Sequence, residues 1–324
     1  MKIPAGDLDL LAIGEAVVDM ISLEETDSMQ DAYTFRKYQG GSPANLAVYM
    51  AKLGKRTALI SKTGTGAFGL FLKDSLEQAG VETQTLVMDP HVHTTVIFIS
   101  RTPRTADSVA LREGDYHLTP DEVDEATIAR AKIIYSSTFA LSREPARAAV
   151  EKAFRLAHQY GKLISLDPNY NPPIWPDQQE ARAVLRKLFR YVTFTKPSLD
   201  DARRLFGPGQ TEETYIDYYH EMGPEIVVLT MGQAGILLSH QGKKIHIPSH
   251  PVKVVDATGA GDAFWAGFLA ALLDGNPPER CIHFAREVAK RALALVGPFP
   301  DPIDRQEIYR LLDAQEKTNA ASEK

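Results

Sequence analysis

Short apolar runs alternate with helix-length amphipathic stretches along almost the whole chain, and this alternation restricts the fold more than any other feature. The runs at residues 8–14, 57–62, 132–136, 162–167, 191–195 and 226–231 are rich in Ile, Val and Leu. Strands buried on both faces read this way, because neither face meets water. Helical periodicity occupies 43–53, 68–79, 120–131, 144–160, 178–189, 198–206 and 212–222, and three more helices at 261–273, 278–296 and 304–313 close the chain. Strands each followed by a helix predict an α/β fold, a mostly parallel sheet with helices on both faces. Two segments, 16–38 and 86–115, alternate residue by residue without a helix of their own. They predict a small β-rich lid on one α/β domain spanning 1–324, with a frayed polar tail from 315 to 324.

The composition excludes several classes of function. A net charge of −6 argues against nucleic acid or an anionic membrane as the main partner. One cysteine, Cys281, allows no internal disulfide and fits a reducing compartment. The first residues lack a signal-peptide pattern, and no window holds 18 uninterrupted apolar residues, so a cytoplasmic, soluble protein is expected.

The chemistry concentrates at VVDATGAGDAFWAGFLAALL, residues 254–273. Gly259, Ala260 and Gly261 let a ligand approach their backbone N–H groups, which open a helix and favour an anion. Asp262 sits in the first turn beside that anion. It either complements the helix dipole or takes a proton during phosphoryl transfer.

A second stretch, QGGSPANL at 39–46, is also a loop running into a helix, with Ser42 able to cap and Pro43 suited to the first turn. Asn45, one turn in, has little local use. An ordinary helix start is one reading; hydrogen bonds from Gly41 and Asn45 to a polar small molecule are the other. Asp19 lies in the otherwise apolar GEAVVD, where an unpaired carboxylate is costly unless it accepts, for example, two sugar hydroxyls.

Gly64-Thr65-Gly66-Ala67-Phe68-Gly69 fits G-x-G-x-x-G, but after the second strand and with no acidic residue at a clear strand end. A nicotinamide-dependent dehydrogenase is therefore a minor alternative. His91 and His93 lack a third ligand nearby and read as solvated lid histidines.

With DATGAGDAF and GGSPAN together, the chain resembles the ribokinase (phosphofructokinase-B) family of carbohydrate kinases, fructokinases in particular. The ordered set GEAVVD, GGSPANLAVYMAKLG, DPN…W, TKPS, LTMGQAG and DATGAGDAFWAGF covers nearly the whole chain. The resemblance implies a ribokinase-like fold and ATP-dependent phosphorylation of a sugar hydroxyl. It implies Asp262 as base, with Gly259, Ala260 and Gly261 as the anion hole. Asp19, Gly40, Gly41, Asn45 and Arg112 would face the sugar. Thr230, Gly232, Gly235 and Lys196 would line the nucleotide site, and Asp256 and Thr258 would lie near a K⁺ site. Mg²⁺ would ride on the ATP phosphates, and two copies would pair through their lids.

Three positions depart from the family pattern. Asn171 stands where fructokinase-like members carry arginine after D-P-N-x. Ser198 and Asp201 replace Asn and Glu of N-x-x-E, and Thr65 replaces an Asp. Fructose or a related keto-sugar is the expected substrate, with a ribokinase-like specificity as one alternative. Should Arg101, Arg104 or Arg112 point inward, 2-keto-3-deoxygluconate is another, because a guanidinium suits a carboxylate. A non-catalytic sugar- or nucleotide-binding protein on the same fold is the alternative class.

Overall fold

The strand Leu8–Ile13 lies at the centre of a ten-stranded sheet and carries no polar residue except Asp9. On one side it pairs in parallel with Thr57–Gly64, and beyond that lie the short strands Val81–Glu82 and Leu86–Asp89. On its other side follow Ala131–Ser137, Leu163–Asp167, Phe194–Thr195 and Ile226–Thr230, again in parallel. Ile236–His240 and Lys243–Ile247 then finish the edge as an antiparallel meander. The computed structural model describes residues 2–102, 106–249, 254–297 and 299–322.

The chain thus leaves the central strand first in one direction and later returns on its other side. The crevice between the carboxyl ends of Leu8–Ile13 and Ala131–Ser137 is the switch point at which open α/β sheets bind ligands. A second sheet stands over it. Its strands run in the order Phe35–Gly40, Val17–Glu25, Val96–Arg101 and Ser108–Leu111, with Asp19 opposite Tyr38 and Ile97. Leu86–Asp89, expected in this lid, instead extends the main sheet, with Ser61 opposite Leu86. A four-residue alternating run does not say which sheet will claim it.

The helix Ala260–Leu273 is apolar on every side, and its residues from Ala263 to Leu272 are buried. A helix of that kind belongs in a core. One side rests on the sheet, where Trp265 Nε1 donates to Ser165 Oγ at 2.8 Å. Its other side meets the helix Pro278–Leu293 at Gly267, where a Cβ would come within 2.8 Å of the Ala285 backbone.

Two helical expectations change. The stretch 120–131 breaks into a 3₁₀ turn, Pro120–Glu122, and a short helix, Glu125–Arg130, because Asp124 caps the second at Thr127 N. The last helix runs Arg305–Ser322, so the polar tail is helical well past its expected end at residue 313. Arg280 holds it there, 2.5 Å from Asp313 and 2.6 Å from Glu316. Residues 323 and 324 lie outside the described residues, as does Arg104. No helix among the described residues is long and apolar enough to cross a membrane.

Candidate active site

The loop ahead of the helix Ala260–Leu273 turns at Gly259, whose φ of 74° is left-handed. Only glycine takes that conformation without strain. A Cβ there would also meet the Tyr49 hydroxyl at 3.0 Å. No side chain caps this helix start, which leaves the N–H groups of Gly261 and Asp262 directed at the crevice. Lys196 borders the same point, its Nζ 3.4 Å from where a Cβ on Gly261 would stand.

Asp262 is held at both carboxylate oxygens. Ser42 Oγ donates to Oδ1 at 2.6 Å and Asn45 Nδ2 donates to Oδ2 at 3.0 Å. Gln39 Nε2 in turn donates to Asn45 Oδ1 at 3.0 Å. Burial pushes the Asp262 carboxyl above the usual carboxylate range, against the pull of these donors and of the Lys196 charge. The result is a carboxylate fixed in orientation and more basic than an exposed one, which suits proton abstraction.

Asp19 projects from the lid strand Val17–Glu25 and is 7% exposed. Burial, then the charges of Asp262 and Asp256, push it up to about 7. Gly40 lies directly beneath its carboxylate, where any Cβ would collide with both oxygens. Gly41, at φ 93°, runs against the Glu15 backbone. Gly40→Ala is therefore expected to displace the Asp19 carboxylate and to weaken binding of a ligand held by it at least about tenfold, read by titration calorimetry.

Asp19, Gly41, Ser42, Asn45, Gly259 and Asp262 line one cavity of about 380 Å³, closed on the lid side by Ile97 and Ile99. Glu15 and Asn171 also line it, and neither is among the residues expected there from sequence as direct sugar contacts. Arg112 is not on this wall. It donates to Asp115 Oδ2 from Nε at 2.9 Å and to Ser142 Oγ from Nη1 at 2.7 Å, with its side chain 3% exposed. Its guanidinium also covers the Phe139 ring. Arg112 borders a neighbouring cavity of about 780 Å³, which contains Gly64, Gly66, His93 and Arg143.

Lys196 pairs with Asp167 at 2.8 Å, both side chains nearly buried. Burial lowers the Lys196 ammonium, but the Asp167 charge outweighs it and the group stays above its ordinary value. A cation therefore borders the anion-binding turn although Asn171 supplies none. Ser198 and Asp201 form a closed capping box at the start of the helix Leu199–Phe206, with Ser198 N and Oγ both donating to Asp201 Oδ2. Shorter side chains thus serve the local helix, and the Asp201 carboxylate is 6% exposed.

Gly232 and Gly235 line a larger cavity of about 1080 Å³ on the far side of the same loop, with Pro248, Phe264, Arg286 and Lys290. Thr230 ends the strand beside it, its N–H donating to Pro197 O at 2.9 Å. Within the loop, Asp256 Oδ1 accepts from Thr258 N and Oγ1 at 3.0 and 2.9 Å, while Oδ2 is buried with no partner among the described residues. Among the described residues no group of three or more His, Cys, Asp or Glu forms a metal cluster. Gly64 and Gly69 serve packing, since a Cβ on the first would collide with the Val92 carbonyl and on the second with the Gly64 carbonyl, whereas Gly66 faces open space.

Known proteins are similar to this chain over nearly its whole length. The fructokinase of Halothermothrix orenii is 39% identical, with a TM-score of 0.77 over 89% of this chain and 99% of that one. A sugar kinase of Pyrococcus horikoshii, solved with ATP, is 28% identical, with a TM-score of 0.79 over 92% and 96% of the two chains. The ATP-dependent 6-phosphofructokinase of Thermoanaerobacterium thermosaccharolyticum is 32% identical over 94% of each chain. Residues 7–299 match the pfkB family of carbohydrate kinases as a whole. That match, over most of a ribokinase-like sheet, places this chain in the pfkB family as an ATP-dependent sugar kinase.

Proposed function

We propose that this kinase phosphorylates a neutral keto-sugar, with fructose as the leading substrate. The observation that carries this is the charge of the 380 Å³ cavity. Its described lining contains Glu15, Asp19 and Asp262 and no Lys, Arg or His. A carboxylate or phosphate on the sugar would meet the Asp19 and Asp262 carboxylates with no cation among the described lining residues to offset them, whereas hydroxyls find acceptors. The fructokinase relative is in keeping with this reading.

In the proposed reaction Asp262 accepts the proton of one sugar hydroxyl as that oxygen bonds to the γ-phosphorus. The bond from phosphorus to the β–γ bridging oxygen breaks, and ADP leaves with that electron pair. Gly259, Ala260 and Gly261 cradle the transferring group, and Lys196 offsets its charge from the side. Asp19, Gly40 and Gly41 hold the sugar, with Asn45 reaching both sugar and base. Thr230, Gly232 and Gly235 border the nucleotide. Mg²⁺ would ride on the ATP phosphates and offset their charge, and Ser198 and Asp201, closed on each other, would not ligate it directly. The unpartnered Asp256 Oδ2, with Thr258 beside it, suits a monovalent cation such as K⁺ behind the loop. Pairing of two copies through the lid remains part of the proposal.

A panel of fructose, fructose 6-phosphate, 2-keto-3-deoxygluconate, ribose and nucleosides, followed by ADP release, tests this reading. Fructose is expected to give the highest kcat/KM. Faster turnover of an anionic sugar would sink it, and tight sugar binding with no ADP release would favour a binding protein. Fructose 6-phosphate is the second reading, because the 6-phosphofructokinase relative is joined by one structural observation. The neighbouring cavity, with Arg143 on its wall, shares Ala110 with the first.

Asp19 sets a pH dependence. Sugar hydroxyls donate to its ionised form, so binding below pH about 7 must expel a proton. The sugar KM is expected to climb as pH falls through about 7, approaching about tenfold per unit, and to level off above it. A KM that stays flat from below to above that value would show that Asp19 does not bind the sugar as an anion.

A further inference from the structure

Glu15 follows the central strand Leu8–Ile13 at the switch point of the sheet and is 2% exposed. Its Oε1 accepts from the Ser42 amide at 3.2 Å and from Ser137 Oγ at 2.8 Å, across 27 and 122 residues of sequence. Its Oε2 is buried with no partner among the described residues. We propose that Glu15 is a positioning residue for the base, tying the start of the helix Ser42–Lys52 to the end of the strand Ala131–Ser137 and so holding the Ser42 hydroxyl on Asp262. This rests on Asp262 being the base.

The contacts form an unbroken series. The helix Ser42–Lys52 begins after Gly41, which has no side chain with which to cap it. Glu15 meets the Ser42 N–H from a distant segment and does what a local cap would do. Ser42 Oγ then donates to Asp262 Oδ1 at 2.6 Å, with the Tyr135 hydroxyl 2.8 Å away on its other side. Moving the Ser42 peptide would carry that hydroxyl away from the base.

The arrangement suits a protonated acid. Two donors point at Oε1 and, among the described residues, none at Oε2, which makes Oε2 the oxygen at which a proton would sit. Burial raises the carboxyl to about 8, with the Ser137 hydrogen bond drawing it down, the Asp115 charge adding to the rise and Arg112 reducing it. Tyr135, the other titratable group that feels Glu15, stays far above that range and neutral. Ionised Glu15 would add charge beside Asp262 and the incoming phosphates, and would draw water to Oε2 through the Ser42 contact.

The test is the pH profile of kcat at saturating sugar and ATP for the wild type, Glu15→Gln and Glu15→Ala. Wild-type kcat is expected to fall above pH about 8. Glu15→Gln is expected to stay within about threefold of wild type at neutral pH and to move that fall upward by about one unit or more. Glu15→Ala is expected to lose about tenfold or more in kcat with little change in the KM for ATP. An unchanged alkaline fall in Glu15→Gln, or wild-type kcat in Glu15→Ala, overturns the proposal. Should either variant fail to fold, Ser137→Ala keeps the Ser42 contact but removes a bond that lowers Glu15, so the fall should again move upward; no movement also overturns it. Asp262→Asn separates the two claims. If it stays active, the assignment of the base fails; if it is inactive while the Glu15 variants behave as wild type, this inference alone fails.

Discussion

Asp262→Asn is expected to lower kcat by about 10²–10⁴-fold, the usual contribution of a positioned general base. The substitution keeps the shape of the side chain and one oxygen to accept from Ser42, so the cavity survives it. Its amide nitrogen would face Asn45 Nδ2, which now donates to Asp262 at 3.0 Å. Asn45 relieves that clash by turning its oxygen inward, at the cost of its bond from Gln39. The sugar KM should therefore change little while kcat collapses, which separates loss of chemistry from loss of binding. Calorimetric sugar affinity and a coupled ADP assay on one preparation measure both. A variant within tenfold of wild-type kcat would remove Asp262 from its role.

Lys196→Met is the second large effect, about 10²–10³-fold in kcat, comparable to removing one preorganised donor from an oxyanion site. The ammonium stands beside Gly261, where the transferring phosphoryl group gathers charge. Its loss also strands Asp167, buried and already raised by burial. Breaking one side of a buried pair costs about 3–5 kcal/mol in stability. The double substitution Lys196→Met with Asp167→Asn removes the stranded charge and should recover most of the melting temperature without recovering kcat. Recovery of both together would mean that Lys196 matters only as Asp167's partner. Recovery of neither would point to damage elsewhere in the fold.

The main sheet was legible because its strands are short runs of β-branched and aliphatic residues, and such runs have few other places to go. The antiparallel edge was not. Lys243–Ile247 reads KKIHI, mostly exposed, and only its pairing with Ile236–His240 makes it a strand. The predicted strand over 191–195 shrinks to Phe194–Thr195, because Thr193 N instead closes on Ile164 O ahead of it. In the site, the glycines and Asp262 were readable because their conformational or chemical demands lie in adjacent residues. Glu15 was not, since a glutamate after a glycine looks like a turn until two distant segments close over it. Arg112 misled for the opposite reason. A charge in a lid suggests a ligand, yet Asp115, three residues away, claims it. The Asn171 departure likewise suggested a missing cation, when Lys196 reaches the same region from another strand.

Asp19 and Asp262 stand on separable parts of the molecule. The first belongs to a four-stranded sheet that the chain enters and leaves in two excursions; the second belongs to a helix sealed in the main core. With the proposed roles of Asp19 and Asp262, choice of sugar and transfer of phosphate rest on different pieces of backbone. Grafting the excursions of a relative with another sugar preference, cut after Leu8–Ile13 and after Leu86–Asp89, is expected to carry a new selectivity onto an unaltered phosphotransfer apparatus. Such a lineage could diversify its diet without reinventing its chemistry.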